Sequence, residues 1–176
     1  MQSEIETPQD TNKSIKLSLN GINLDQSIIM GILNVTPDSF FDGGQNINDA
    51  DIIRKVNSME FNGAQIIDIG GYSSRPGAAE ISEEEELKRV LPIVKLIRSN
   101  FSDLLISIDT FRSSVAKQCV NAGANIVNDI SGGSLDAKMF DTIAQLKTPY
   151  VLMHMKGDPS NMQDNPTYSD ITKEVH

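Results

Sequence analysis

The sequence contains little that would suit an oxidising compartment or a membrane. Cys119 is the only cysteine among 176 residues, so no disulfide can form within the chain. No run approaches the ~18 apolar residues of a membrane span, and the polar N-terminus lacks the apolar centre of a signal peptide. These absences predict a soluble cytoplasmic protein. The place of Cys119 within a helical pattern predicts a structural role for its side chain.

Positive charge and aromatic side chains are also scarce. Lys and Arg together number 15 against 24 Asp and Glu, giving a net charge of −9, and there is no tryptophan. Nucleic acids and anionic membranes attract basic surfaces, and base stacking requires aromatic rings. The composition therefore predicts neither nucleic acid nor membrane as a partner. It leaves an anionic small substrate open, because a few arginines and a metal ion can outweigh a distant net charge.

The patterned part of the chain is long enough for one domain with a sizeable core. We predict a disordered tail over residues 1–13 and a single domain over residues 14–176. Within IKLSLNGINL, apolar and polar residues alternate on both sides of Asn20-Gly21. Asn-Gly between alternating runs is the strongest short-range hairpin signal, so we predict a β-hairpin at residues 15–24.

Short apolar runs alternate with helical patterns over the rest of the chain. The runs show little two-residue alternation, which is typical of parallel strands covered on both faces. Repeated strand–helix units predict a parallel sheet with right-handed crossovers. The predicted strands are residues 28–35, 65–70, 104–109, 125–130 and 150–155. The predicted helices are residues 48–62, 82–99, 112–122 and 136–146, and a fifth begins near Tyr168.

Local signals mark where two of these elements begin. Ser82 followed by four glutamates, residues 83–86, is a capping box with acids in the first helical turn. We interpret the glutamates as helix-start residues with a solvated face rather than a metal site. Gly63-Ala64 returns as Gly123-Ala124, and each pair is predicted to end a helix immediately before a strand.

Two architectures fit the order of elements. A doubly wound open sheet is possible, although no G-x-G-x-x-G turn follows the first strand, which weakens its dinucleotide-binding version. A (β/α)8 barrel is the other, and the hairpin before the first strand suits it. A barrel takes ~250 residues, whereas only five strand–helix units are legible here. The residues alone leave an open sheet or a truncated barrel.

Polar residues occur at or near the ends of the five predicted strands: Asn34, Asp68, Asp109, Asn128 and His154. In parallel α/β folds the carboxyl ends of the strands meet on one face, where ligands bind. Asp and Asn are poor strand formers, so we predict that the five line one site, although any one alone could serve a cap or a turn. His154 could act as a hydrogen-bonding residue or as an acid or base.

Five segments resemble the dihydropteroate synthase family. They are MGILNVTPDSFFDGG, IIDIGGYSSRPGAAEISEEEELKRVLPIV, ISIDT, IVNDISGG and LMHMKGDPSNMQ, and they follow the order and spacing of the family over residues 15–176. The resemblance implies a (β/α)8 TIM barrel of folate biosynthesis. It further implies a transferase that joins 7,8-dihydropterin-6-ylmethyl diphosphate to 4-aminobenzoate and releases diphosphate with the help of Mg²⁺.

The resemblance also implies roles for residues of the strands. Asn34 is similar to the asparagine that contacts magnesium on the diphosphate side. Asp109 and Asn128 are similar to ligands of the pterin ring, with Met153 against that ring. Asp68 is expected to orient the loops from below. A buried carboxylate such as Asp109 would stabilise positive charge that spreads into the pterin if carbon–oxygen cleavage precedes attack by the amine.

The loops carry the remaining implied roles. Ser74 and Arg75 occupy the positions of the family's Ser/Thr-Arg pair, which binds aminobenzoate and diphosphate. Arg75 and Asp109 are the two catalytic candidates. An arginine in a Ser-rich loop is well suited to bind phosphate or carboxylate, with a solvated surface arginine as the alternative. Residues 36–44 resemble a mobile flap, in which Phe40 and Phe41 would exclude water. The alternative for either phenylalanine is that its ring packs on the flank of the barrel.

The chain departs from the family pattern in two respects. Many members have Glu-Ser-Thr-Arg where this sequence has Tyr72-Ser73-Ser74-Arg75. The chain ends at His176, before the family's Asp-Pro-Gly-Phe-Gly-Phe, Ser-Arg-Lys and Arg-Val-His segments. We therefore expect the isolated chain to be inactive and prone to associate, whereas the full length is expected to form a homodimer. The alternatives are a pterin-binding methyltransferase-type barrel and a non-catalytic pterin-binding fragment.

Overall fold

The computed structural model describes residues 18–19, 22–23, 26–36, 48–73, 80–158, 161–162 and 164–175. The predicted tail, residues 1–13, lies outside them. Strand β1 (Ser18–Leu19) pairs antiparallel with β2 (Ile22–Asn23), which confirms the predicted hairpin. Among the described residues, no helix is long and apolar enough to cross a membrane.

Five parallel strands form the main sheet. They are β3 (Ile29–Asn34), β4 (Ala64–Gly70), β5 (Leu105–Asp109), β6 (Ile126–Asp129) and β7 (Tyr150–Leu152). Their order in the sheet is their order in the chain. A doubly wound sheet reverses its strand order at a switch point, whereas consecutive neighbours in one direction are the arrangement of a barrel wall. The parallel α/β prediction is confirmed, and the strand order favours the barrel alternative.

A helix follows each strand of the main sheet, and the four helices that stand between successive strands pack on one face of it. The helices are α1 (Asp49–Phe61), α2 (Glu83–Asn100), α3 (Ser113–Asn121), α4 (Met139–Leu146) and α5 (Ile171–Val175). The capping box is confirmed, because Ser82 Oγ accepts a hydrogen bond from the Glu85 amide at 3.1 Å. Gly63 and Gly123 follow the ends of α1 and α3 with φ angles of +96° and +117°. This left-handed backbone is tolerated best by glycine and explains the repeated Gly-Ala pair.

Three predicted boundaries are wrong, and one of them is the start of α5, which lies at Ile171 rather than near Tyr168. Helix α4 begins at Met139 rather than at residue 136, because the Asp136 carboxylate is committed elsewhere: it accepts from the Ser113 amide at 2.7 Å and from the Lys138 amide at 2.9 Å. Strand β7 ends at Leu152 rather than at residue 155. Its neighbour β6 turns away after Asp129, so β7 has no partner strand beyond the Asp129–Leu152 pair.

The main core lies between the sheet and the helices. Every second strand residue is buried there against α1, α2 and α3, as Leu33, Ile67, Ile106 and Val127 illustrate. Full burial of one such side chain stabilises the fold by ~1.5–3 kcal/mol. A smaller cluster of Ile66, Leu105 and Ile126 lies on the opposite face of the sheet, towards the N-terminal ends of the strands. The two clusters define the two faces.

One of the four glutamates at the start of α2 contradicts the sequence interpretation. Glu83 and Glu84 are exposed, but Glu86 is fully buried. Its carboxylate forms an ion pair with Arg112, whose other terminal nitrogen donates to the Ile81 carbonyl at 2.7 Å. A buried charge requires such a partner. The pair ties the start of α2 to the segment that follows β5.

Candidate active site

The predicted site residues Asn34, Asp109 and Asn128 lie in one row across the sheet. Asn34 of β3 is the register partner of Gly70 in β4, Gly70 of Asp109 in β5, and Asp109 of Asn128 in β6. Side chains alternate along a strand, and the residue before each of these faces the helices. The row therefore lies on the opposite face, at the carboxyl end of the sheet. We call it the polar row.

Asp68 lies one layer below the polar row. It is only 5% exposed, and its register partner in β5 is the small, fully buried Ser107. Asn128 Nδ2 donates to Asp68 Oδ2 at 3.0 Å, across the intervening strand β5. A serine between them leaves room for this contact. Since the amide nitrogen of Asn128 is committed to Asp68, its carbonyl oxygen is the group that Asn128 can offer a ligand.

Asp109 has the most perturbed acid–base behaviour of the polar row. Burial, and after it the negative charges of Asp68, Glu86 and Asp129, together raise its pKa to about 7. Burial also raises the pKa of Asp68, which the neighbouring Ser107 and Asn128 side chains partly offset. A carboxylate held in such surroundings gains strongly from a ligand that donates hydrogen bonds or carries positive charge.

The row presents acceptors suited to a ligand with adjacent N–H groups. Asp109 and Asn128 are register partners on neighbouring strands, whose backbones lie about 5 Å apart. A planar heterocycle with two neighbouring donors on one edge would match this pair. The side chains of the row can accept hydrogen bonds, and the Asp109 carboxylate can stabilise positive charge.

Asn34 presents an amide oxygen of the kind that hard cations bind. Its amide oxygen lies beside Gly70 at the β3 end of the polar row. The described residues contain no group of three or more His, Cys, Asp or Glu side chains placed to hold a metal. Mg²⁺ does not require one, because it commonly keeps several waters and is bound through one or two protein oxygens plus substrate phosphates. The donor set therefore fits Mg²⁺ carried largely by a phosphate ligand.

The remaining predicted residues lie either past the strand ends or outside the described part of the chain. Ser74, Arg75, Phe40 and Phe41 lie outside the described residues, and so does nearly all of the predicted flap. Met153 is 37% exposed, just past the end of β7. His154 follows it, and its Nε2 lies 3.2 Å from Tyr168 Oη on the exposed side of the molecule. Of the five predicted strand-end residues, four therefore lie on one face of the sheet: Asn34, Asp68, Asp109 and Asn128.

The sequence analysis missed Asp129, which holds the loop after β6. Asp129 is fully buried on the helix face, next to Asn128 on the other face. Its carboxylate accepts from the Ser131 amide at 2.7 Å, the Gly133 amide at 3.0 Å and Tyr150 Oη at 2.6 Å. A signal was available: an aspartate facing the helices in a strand covered on both faces must have partners.

Tyr72, where the sequence departs from the family pattern, belongs to an aromatic and cationic cluster that follows β4 and β5. Tyr72 packs edge-on against Phe111, with ring centroids 5.2 Å apart. The Arg112 guanidinium lies 4.9 Å from the Phe111 centroid and 5.7 Å from that of Tyr72. Glu86 supplies the negative partner of Arg112, so an acid at position 72 is not needed to balance this charge.

Comparison with known proteins gives a consistent result. The family model described as pterin binding enzyme matches residues 30–176. The chain is 50% identical over 168 residues to the folic acid synthesis protein fol1 of Pneumocystis carinii, covering 93% of this chain and 22% of that protein. It is 46% identical over 164 residues to dihydropteroate synthase of Escherichia coli K12, covering 92% of this chain and 57% of that protein.

Two solved structures extend the similarity to three dimensions. Dihydropteroate synthase of Yersinia pestis in a sulfonamide complex gives a TM-score of 0.78 at 42% identity, covering 90% of this chain and 58% of that one. The Xanthomonas albilineans dihydropteroate synthase with 4-aminobenzoic acid gives 0.76 at 40% identity, covering 88% and 54%. The chain thus spans little more than half the length of these bacterial proteins. Its polar row, strand order and matched segments together place it in the pterin-binding enzyme family.

Proposed function

We propose that this chain binds a pterin diphosphate and serves the reaction of dihydropteroate synthase. The reaction joins 7,8-dihydropterin-6-ylmethyl diphosphate to 4-aminobenzoate and releases diphosphate. The observation that carries the proposal is the polar row, in which Asp109 and Asn128 present acceptors on neighbouring strands. The names of the E. coli relative and the Yersinia structure support it, as does 4-aminobenzoic acid in the Xanthomonas structure.

The row suits the edge of a pterin ring. The 2-amino-4-oxo edge carries an amino group next to a ring N–H, so it offers two neighbouring donors. Asp109 and the Asn128 carbonyl oxygen would accept one each, and Asp68 fixes the amide so that this oxygen is available. Hydrogen bonds to a charged partner contribute ~1.5–3 kcal/mol each, so loss of Asp109 removes much of the recognition.

The chemical step exchanges one bond to carbon for another. The carbon–oxygen bond between the pterin methylene and the diphosphate breaks, and its electron pair leaves with the diphosphate. The amine of 4-aminobenzoate forms the new carbon–nitrogen bond and then loses a proton to solvent. Positive charge develops on the pterin as the leaving group departs, and ionised Asp109 stabilises it at close range. Asn34 would hold Mg²⁺, which when bound neutralises charge on the leaving diphosphate.

Four finer assignments belong to the proposal. Met153 is assigned to the face of the pterin ring, and Ser74 with Arg75 to aminobenzoate and diphosphate, by resemblance to the family motifs. A homodimer is proposed for the full length and the cytoplasm for the compartment. Because the chain spans 57% of the E. coli relative, we propose pterin binding as the activity to be measured first and turnover as the second.

A binding experiment separates this proposal from a methyltransferase-type barrel. The chain is titrated with 6-hydroxymethyl-7,8-dihydropterin and with its diphosphate, each with and without Mg²⁺. In the presence of Mg²⁺, we expect the diphosphate to bind more tightly than the alcohol. In the absence of Mg²⁺, we expect no such preference. Asp109→Asn should abolish binding of both compounds, whereas Asp103→Asn at the opposite end of β5 should not. Equal binding of alcohol and diphosphate in Mg²⁺ would contradict the proposal.

A further inference from the structure

Gly70 occupies the middle of the polar row. On one side lies Asn34, which the proposed function assigns to the diphosphate, and on the other lies Asp109, which it assigns to the pterin. Gly70 is the register partner of Asn34 on one side and of Asp109 on the other. The Cα atoms of Asn34 and Asp109 are therefore separated by two strand spacings, about 10 Å. A glycine between two polar residues in a buried strand carries a cost, because glycine weakens strands.

The space that a side chain at position 70 would fill is already bounded by functional oxygens. A Cβ atom there would lie 3.2 Å from Asn34 Oδ1 and 3.3 Å from Asp109 Oδ2. Both distances are tighter than ordinary van der Waals contacts of a Cβ atom, so both side chains would have to move by a few tenths of an ångström. The two oxygens thus converge above the Gly70 backbone.

Backbone conformation does not explain this glycine. Gly70 does not belong to the glycines with a positive φ angle, and it is an ordinary member of β4. The adjacent Gly71 is required for another reason, since a Cβ there would lie 2.6 Å from Val90 Cγ1 of α2. The Gly-Gly pair therefore meets two separate demands: close packing of a helix at position 71, and convergence of Asn34 and Asp109 at position 70.

We propose that Gly70 is a positioning residue that sets the separation of Asn34 and Asp109, and so couples the two ends of one pterin diphosphate. The inference rests on the proposed function, because it assigns one end of that ligand to each residue. A ligand that spans both subsites depends on their separation, whereas a ligand that occupies one subsite does not. A displacement of a few tenths of an ångström therefore weakens the joined ligand more than it weakens either half.

The test compares a joined ligand with its separate halves. Gly70→Ala is titrated with 6-hydroxymethyl-7,8-dihydropterin, with inorganic diphosphate plus Mg²⁺, and with the pterin diphosphate plus Mg²⁺. Gly31→Ala is the matched control, because Gly31 lies in β3 on the helix face, where its Cβ would meet the flexible Met59 Sδ at 3.0 Å. We expect Gly70→Ala to lower the affinity for the joined ligand. The fold-change should exceed the product of the fold-changes for the two halves by at least ~10-fold. We expect no such excess from Gly31→Ala.

A second measurement requires no ligand. In NMR spectra of the free chain, Gly70→Ala should shift the side-chain amide of Asn34 or the carboxyl carbon of Asp109, and Gly31→Ala should shift neither. Two results overturn the inference while leaving the proposed function intact. One is a loss of affinity for the joined ligand that equals the product of the losses for the two halves, and the other is unmoved resonances in Gly70→Ala. Failure of the unsubstituted chain to bind any pterin overturns the proposed function itself, and this inference with it.

Discussion

Asp68 Oδ2 and Asn128 Nδ2 are joined by a 3.0 Å hydrogen bond that passes over an entire strand. Asp68 belongs to β4 and Asn128 to β6, and β5 runs between them with Ser107 at the crossing. The contact gives Asn128 one orientation: its nitrogen faces the protein and its oxygen is left for a ligand. Asp68 itself is buried below the polar row, where its carboxylate supports Asn128.

Replacing Asp68 by Asn should weaken pterin binding without unfolding the chain. The substituted amide can donate as well as accept, so Asn128 is no longer fixed with its oxygen towards the ligand. Loss of a hydrogen bond to a charged group costs ~1.5–3 kcal/mol, so we expect 6-hydroxymethyl-7,8-dihydropterin to bind at least ~10-fold more weakly. Isothermal titration measures this, with the exposed Asp103→Asn as the matched control. Unchanged affinity in Asp68→Asn would refute the supporting role.

The affinity for a pterin should rise with pH up to about 7 and then level off. The pKa of Asp109 is raised to about 7, and ring N–H donors bind the ionised carboxylate. If only the ionised form binds, affinity falls about tenfold per pH unit below that pKa. Titrations from pH 5 to pH 9 measure the profile. Asp68→Asn removes a neighbouring charge and should move the midpoint to lower pH, and a midpoint that stays in place would contradict this coupling.

The same titration affects the stability of the unliganded chain. The folded pKa of Asp109 lies above its ordinary value of 3.8, so the folded state binds more protons than the unfolded state between these values. The free energy of unfolding contributed by Asp109 therefore falls as pH rises from about 4 to about 7, and is constant above that. Urea unfolding of the chain and of Asp109→Asn over this range gives the difference. The contribution should be absent from the variant.

Most of the fold could be predicted from the sequence because the signals that specify its elements are local. Apolar runs without alternation, the Ser82 capping box and the Asn-Gly turn each depend on neighbours in the chain, and the structure confirms the elements they predicted. Boundaries failed where a distant partner decided them. The Asp136 carboxylate caps the start of α3 across 23 positions of sequence, and this delayed the beginning of α4.

The site was predicted in part for the same physical reason. Asn34, Asp109 and Asn128 are polar residues at the ends of apolar strands, and strand polarity alone brings them to one edge. Their alignment in one row, with Gly70 in the middle, depends on register between strands, which no local pattern specifies. The buried Glu86 was missed because its partner Arg112 lies 26 positions away.

Removing the buried ion pair between α2 and the segment after β5 should strongly destabilise the chain. Arg112→Met leaves Glu86 fully buried without its cation, and breaking a buried pair costs ~3–5 kcal/mol. Urea unfolding followed by circular dichroism measures the loss. The matched control is Arg54→Met, which removes the exposed Arg54–Asp51 pair on α1 and should cost no more than ~1 kcal/mol.

A double variant shows whether the unpaired charge is the cause. Glu86→Gln combined with Arg112→Met replaces both charges, so much of the loss seen in Arg112→Met should be recovered. A double variant as unstable as the single one would mean that the Arg112 stem, packed beside Tyr72 and Phe111, contributes through its van der Waals contacts instead.

Tyr150→Phe should loosen the loop that follows Asn128 and lower stability by ~1.5–3 kcal/mol. The Tyr150 hydroxyl donates to the fully buried Asp129 carboxylate at 2.6 Å, and phenylalanine keeps the packing against Phe140 while removing only that donor. Tyr168→Phe is the control, because its hydroxyl contacts the exposed His154 at 3.2 Å. Urea unfolding gives the energies, and hydrogen exchange at the Ser131 and Gly133 amides gives the local effect. Faster exchange at these two amides in Tyr150→Phe alone is expected, since both donate to Asp129; equal exchange in the two variants would mean that the backbone amides hold Asp129 without Tyr150.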